Sequence, residues 1–137
     1  MSKLLAFGAS SSKNSKNKKL ASYVAKRMAP KEAIIVDLNE FEMPIYSEDR
    51  EEEAGIPDKA YEFKKLVNES IGIIISLAEH NGSYTSAFKN IYDWISVIEK
   101  TVWSNKPLIL LSTSDGQNAG NTVLQTALSR FSRQSTL

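Results

Sequence analysis

The 137 residues carry 42% hydrophobic and 24% charged side chains with a net charge of +1, the balance of one soluble globular domain rather than a disordered chain. Near-neutral charge supplies no global basic field for nucleic acid. With no cysteine and one histidine, His80, disulfides, thiolate metal sites and a two-His metal centre within the chain are excluded, which favours a borrowed cofactor as the source of chemistry.

The longest apolar runs, IGIIISLA at 71–78 and PLILLST at 107–113, are far shorter than the ~20 residues of a membrane-spanning helix. The opening MSKLLAFGASSS is too brief for a secretory signal, so a cytoplasmic enzyme or binding protein is expected.

In chain order, Lys3–Ala9 predicts a strand running into a Gly/Ser/Asn-rich turn, and Leu20, Tyr23, Val24 and Met28 fall at helical spacing up to Pro30. Ala33–Leu38 predicts a second strand and Asn39–Gly55 a long loop holding Met43-Pro44-Ile45-Tyr46 and the acidic run SEDREEE. Pro57 suits a first helical turn, and Tyr61, Lys64, Leu66 and Val67 continue that helix to about Ser70. Ile71–Leu77 is rich in β-branched residues, as expected of a central parallel strand. A helix follows with Tyr84, Phe88, Ile91, Tyr92, Ile95 and Ile98 on one stripe, then a strand at Pro107–Thr113 and a last helix marked by Leu124, Ala127, Leu128 and Phe131. Four strands alternating with four helices predict an open α/β parallel sheet, whose ligands sit outside the carboxyl ends of the strands.

Three loops at those ends carry unusual polar chemistry. The first, Gly8 to Asn17, combines backbone N–H groups at a helix N-terminus with the hydroxyls of Ser10, Ser12 and Ser15 and the amide of Asn17, a donor set for a phosphate held without metal. It lacks GK[ST] and GxGxxG, so it is neither a nucleoside-triphosphate P-loop nor the usual dinucleotide turn; a simple capped polar loop is the plainer alternative. The loop Ala78-Glu79-His80-Asn81-Gly82-Ser83 pairs a glycine that permits close approach with hydrogen-bonding neighbours; the plainer alternative is a helix cap by Asn81 or Ser83 with His80 exposed. Ser112 to Gly120 is small and polar with two glycines. Met43-Pro44-Ile45-Tyr46 either walls a planar ring or staples the long loop to the core.

The succession ASSSKNSKN, MPIY, AEHNGSYTSAFKNIYDW and KPLILLSTSDGQNAG resembles the NADPH-dependent FMN reductase family of flavodoxin-like proteins, a group that includes azoreductases, quinone reductases and chromate-reducing flavoproteins. The resemblance runs over about residues 3–131 and is most specific in E-x-N-G-S followed by F-K-N-x-x-D-W. It implies that Ser10, Ser12, Ser15 and Asn17 hold the FMN phosphate. Ser12 stands where arginine is common, with Lys13 or Lys16 as a substitute charge. It implies that Pro44, Ile45 and Tyr46 border the flavin, that Glu79, His80, Asn81, Gly82 and Ser83 meet the isoalloxazine, and that Ser114 and Gly116 line its other side. Lys89, Asn90, Asp93 and Trp94 match a signature helix serving packing and subunit contact. The implied activity is hydride transfer from NADPH or NADH through bound FMN to a quinone, azo compound, metal ion or free flavin, with no catalytic side chain assigned and no metal. The implied assembly is a homodimer or tetramer, without nucleic-acid or membrane partners. A flavodoxin-type electron carrier and a flavin-free sensor or interaction domain are the alternatives. The family's sheet has five strands in order 2-1-3-4-5, whereas this chain reads as a single FMN-binding domain over 1–137 that is incomplete at its C-terminal end: SRQSTL at 132–137 is too polar for a buried strand and leaves the fourth strand as a bare edge.

Overall fold

The computed structural model describes residues 3–132. Its centre is a pair of parallel strands, β1 (Lys3–Gly8) and β3 (Ser70–Leu77), flanked by β2 (Ala33–Val36) beside β1 and β4 (Leu108–Ser112) beside β3. The order β2-β1-β3-β4 is the expected parallel α/β sheet. Parallel neighbours need crossovers, supplied by α1 (Lys16–Met28), by α2 (Glu48–Ala54) with α3 (Asp58–Glu69), and by α4 (Ser86–Ile98); α5 (Asn121–Ser132) follows β4.

The two faces of the sheet are covered unequally. On one, Ala21 and Ala25 of α1 pack against Ala6 and Ile74. On the other, α3, α4 and α5 enclose a larger core containing Phe7, Phe63, Ile75, Phe88, Trp94 and Phe131. Small residues let α1 lie close to the strands. At Gly8 the approach is closest: a Cβ there would stand 2.3 Å from the Lys18 backbone nitrogen, so the contact that sets the N-terminus of α1 against the end of β1 requires glycine.

The 39–55 segment differs from the loop expected for it. Asp37 caps a short 3-10 turn, Leu38–Phe41, and Ser47 caps α2 by accepting from the Arg50 N–H at 3.1 Å. Glu48, Asp49 and Glu51 in the first turn complement the helix dipole, and Gly55, at φ 76°, ends the helix. No residue of α2 is buried, so the helix has no apolar period by which to be recognised. There are thus five α-helices among the described residues rather than four. Two caps also differ. Pro57 is the N-cap of α3 rather than its first residue, and α4 is capped by Thr85, not by Asn81 or Ser83.

β4 is the outer strand, as expected, and all five of its residues are only half-buried or exposed. Beside it a cleft of about 520 Å³ is lined by Trp103, Leu108, Leu110, Leu124, Leu128 and Phe131. The cleft lies along the strand's edge, away from the loops at the carboxyl ends. Most of the polar tail SRQSTL lies outside the described residues. No helix among the described residues is long and apolar enough to cross a membrane.

Candidate functional site

The parallel strands gather the first, third and fourth loops at the carboxyl end of the sheet, where specific side chains lace them together. Asn17, buried in the first turn of α1, accepts from the Ser76 hydroxyl at 2.7 Å and from the Thr113 N–H at 3.1 Å, and donates to the Thr113 carbonyl at 3.2 Å. The Ala9 N–H donates to Ser76 and the Ala9 carbonyl accepts from the Thr85 hydroxyl at 2.7 Å. Lys16 pairs with Asp115 across the gap between the first and fourth loops.

Each expected phosphate-loop residue has a definite place. The Ser10 hydroxyl, nearly buried, accepts from the Ser12 N–H at 3.1 Å, folding the turn back on itself. Ser15 is the N-cap of α1 and accepts from the Lys18 N–H. Ser12 is exposed, as are Ser11, Lys13 and Asn14. Asn17 serves the loop lattice with its amide. The N–H groups of Lys16 and Asn17, at the start of α1, have no partner in the chain among the described residues. Nothing acidic precedes Glu32 in the sequence. Free N–H groups, exposed hydroxyls and the positive end of a helix dipole form a donor set that fits a phosphate.

The third loop is a two-residue hairpin. His80 and Ser83 exchange backbone hydrogen bonds of 2.9 and 3.1 Å around Asn81 and Gly82, both at positive φ (52° and 76°), which is the signature of a type I′ turn. All four residues are exposed, so the tight turn presents its backbone to solvent, and nothing lies within 4 Å of a Cβ built on Gly82. Glu79 points elsewhere: its carboxylate accepts from the Val123 N–H at 2.7 Å, at the N-terminal turn of α5. In the fourth loop the Ser114 hydroxyl accepts from the Gly116 N–H.

The Met43–Tyr46 segment is the most firmly held. The Asn90 side chain accepts from the Tyr46 N–H at 2.8 Å and donates to the carbonyls of Met43 and Pro44, both at 3.1 Å. One turn on, the Trp94 indole donates to the Pro44 carbonyl at 2.8 Å and meets the Tyr46 ring edge-on at 4.9 Å. The Tyr46 hydroxyl donates to Glu51, and that bond raises its pKa, with burial and the Glu51 charge adding to the effect. Pro44 and Ile45 are exposed, Ile45 by 75%. Asn90 and Trp94, four residues apart on one helix face, therefore fix this backbone. The family resemblance implies the signature helix but not its target, because a side chain to backbone bond to Pro44 leaves no trace in the Pro44 region. Trp94 is 1% exposed, so of the packing and subunit contact expected of the signature helix its side chain serves packing within the chain. Thr85, which ties the first loop to the third, escaped sequence reading altogether; its N-cap position three residues before Phe88 is the signal that could have found it.

Lys18, facing Asp37 at 2.9 Å, draws the start of α1 toward the end of β2. The Lys18 ammonium and the Asn39 N–H hold the Asp37 carboxyl below the usual aspartate value.

These features define a flavodoxin-like α/β domain with a phosphate-suited first turn. Solved structures similar to it agree on the fold. FerB, a flavoenzyme NAD(P)H:(acceptor) oxidoreductase from Paracoccus denitrificans, superposes with a TM-score of 0.78 at 22% identity, over 100% of this chain and 74% of that one. RosB, solved with a bound 8-demethyl-8-formylriboflavin-5′-phosphate intermediate, does so at 0.69 and 16% identity, over 100% and 61%. The model of the NADPH-dependent FMN reductase family matches residues 2–135, and the chain belongs to that family. Among curated relatives, a 2-hydroxy-1,4-benzoquinone reductase from Burkholderia sp. is 31% identical over 105 residues, 76% of this chain and 56% of the relative. A quinone reductase of Escherichia coli K12 is 27% identical over 79 residues, 58% and 42%. The chain spans about half the length of the curated relatives it matches.

Proposed function

We propose that this chain is a single FMN-binding domain of an NAD(P)H oxidoreductase whose acceptor is a small molecule of the quinone class. The observation that carries the reading is the convergence of the first, third and fourth loops at one end of the sheet in a chain of this family. FMN, when bound, supplies two-electron redox chemistry. The protein's part is orientation: the first loop's free N–H groups and the hydroxyls of Ser12 and Ser15 hold the phosphate, and the exposed Asn81–Gly82 turn offers backbone groups to a flat ring edge. Ser83, Ser114 and Gly116 border the same opening, and Pro44, Ile45 and Tyr46 wall it. Glu79, His80 and Asn17 act through position rather than proton transfer, since their bonds within the chain are structural. The homodimer or tetramer is proposed on resemblance alone.

An absorbance scan of the purified protein with and without FMN tests the reading. Flavin bands that survive desalting, together with NADPH oxidation in the presence of menadione, are the expected result. A colourless protein that takes up no FMN would end it. His80→Ala is expected to leave both FMN binding and flavin reduction unchanged, because His80 is exposed and its hydrogen bonds to Ser83 are backbone ones.

A further inference from the structure

The fourth loop is held against the start of α1 by two successive residues of that helix, in two different ways. Asn17, buried, bonds the Thr113 backbone at 3.1 and 3.2 Å. Lys16 pairs its ammonium with the Asp115 carboxylate, and those side chains are 59% and 85% exposed. Packing holds neither of them, so this pair parts at small cost, while the Asn17 bonds keep the loop in place. Asp115 thereby ties a negative charge to the first residue of α1, at the positive end of the helix dipole. The N–H groups of Lys16 and Asn17 at that end are free. In sequence Asp115 lies between Ser114 and Gly116, which border the proposed opening. The nearby acids are engaged elsewhere: Asp37 faces Lys18 on the β2 side, and Glu79 accepts from the Val123 N–H. The reading above gives the Lys16–Asp115 pair no role.

We propose that Asp115 competes with a ligand's phosphate for the Lys16 ammonium, which makes the Lys16–Asp115 pair an autoinhibitory contact at the phosphate end of the site. The inference rests on the FMN-binding reading and adds to it a charge exchange that binding must complete. No covalent bond changes. Lys16 gives up its pair with Asp115 and makes one with the phosphate, and the carboxylate passes to water, as its exposure allows. A phosphate monoester carries about −1.5 to −2 charges at pH 7, so it attracts the ammonium more strongly than a single carboxylate does, and the free N–H groups of the helix end act on it as well. The exchange costs affinity for every ligand that carries a phosphate and for none that lacks one.

The parent, Asp115→Asn, Lys16→Gln and the double substitution test this. FMN binding is read by flavin fluorescence, with riboflavin as the probe that lacks a phosphate and inorganic phosphate as the competitor that lacks a ring. In Asp115→Asn the Kd for FMN is expected to fall about fivefold, the factor equivalent to the ~1 kcal/mol of an exposed ion pair. The inhibition constant of inorganic phosphate falls by the same factor, and riboflavin binding does not change. The gain narrows as salt is raised, because both charges face solvent. Lys16→Gln weakens FMN binding about tenfold or more, and in that background Asp115→Asn brings no further gain, since the two charges act as one unit. An unchanged Kd in Asp115→Asn overturns the proposal. A raised one does so too, because Asp115 would then be a support for Lys16. A gain that persists without Lys16 overturns it in favour of plain repulsion between Asp115 and the phosphate, and an equal gain for riboflavin in favour of a change in the loop. Failure of both the parent and Asp115→Asn to bind FMN is a different result: it overturns the FMN-binding reading and this inference with it.

Discussion

The centre of the sheet and its β4 edge are built from similar sequences and end in different states. In β1 and β3, Leu5, Ala6, Phe7, Ile73, Ile74, Ile75 and Leu77 are all 0–1% exposed. In β4 the run LILLS is half-bare, with Ile109 at 36%. The first and third loops therefore hang from strands that packing already fixes. The fourth loop hangs from a strand with no outer neighbour among the described residues, and side chains reaching across fix it instead: Asn17 to Thr113, Lys16 to Asp115, Glu79 to Val123. Order at this end of the molecule is packed in at one side and tied on at the other.

The largest expected effects fall in the packed centre. Gly8→Ala sets a methyl 2.3 Å from the Lys18 nitrogen and 2.6 Å from its Cα, both backbone atoms with no room to yield, so α1 must move off β1. Phe7→Ala, deep in the aromatic core, should cost about 3–5 kcal/mol. Leu110→Ala on the half-exposed edge should cost clearly less, because less of its side chain leaves water on folding. Urea unfolding of the three variants measures the contrast. Equal costs for Phe7 and Leu110 would mean that β4 is covered in solution.

Next comes the tie itself. Asn17→Ala strands the buried Ser76 hydroxyl, which is 0% exposed and donates to Asn17. An orphaned buried polar group costs about 1–3 kcal/mol. FMN affinity should fall together with stability, since the first and fourth loops then lose their common anchor. Isothermal titration with FMN alongside the unfolding curve separates the two. An Asn17→Ala protein that is less stable but binds FMN as before would show that the tie holds the edge and not the site.

Asn90→Asp isolates the other wall. Aspartate keeps the acceptor for the Tyr46 N–H but turns a second oxygen toward the Met43 and Pro44 carbonyls, where the amide donated at 3.1 Å. The loss of two donated bonds, with repulsion added, is expected to cost about 1–3 kcal/mol and to loosen the wall at Ile45. Asn90→Gln, which keeps the amide, should recover part of it.

These contrasts also explain what the sequence made legible. The strands, the helical crossovers and the loops at the carboxyl ends follow from apolar runs and their spacing, because burial writes itself into residue type; the strand order comes only from the family resemblance. The hairpin at Asn81-Gly82 was half visible: the dipeptide favours a type I′ turn, yet it lies in a loop first read for ligand chemistry. α2 was invisible because an acidic helix that buries nothing has no apolar stripe. The roles of Asn17, Glu79 and Asn90 were invisible for another reason. Each bonds a backbone group 44 or more positions away, and backbone partners leave no mark on residue identity. What reads as a ligand-binding polar residue in one dimension is here also a brace.

The smallest effect tests the tie at β2. Asp37 accepts from Lys18 and from the Asn39 N–H, and its folded pKa lies below the usual aspartate value of 3.8. A carboxyl whose pKa is lower in the folded state binds fewer protons there than in the unfolded chain. Its contribution to stability is therefore present above 3.8 and disappears as the pH falls through the lowered folded value. With its side chain about a third exposed, that contribution should be about 0.5–1 kcal/mol at low salt. Asp37→Asn should thus be slightly less stable than the parent at neutral pH and indistinguishable from it once the pH is well below the aspartate range. Thermal unfolding of the pair across that range checks the sign. A gap that widened on acidification would mean that the Lys18–Asp37 contact opposes the fold, and that the start of α1 is held at the site by Gly8 and Asn17 alone.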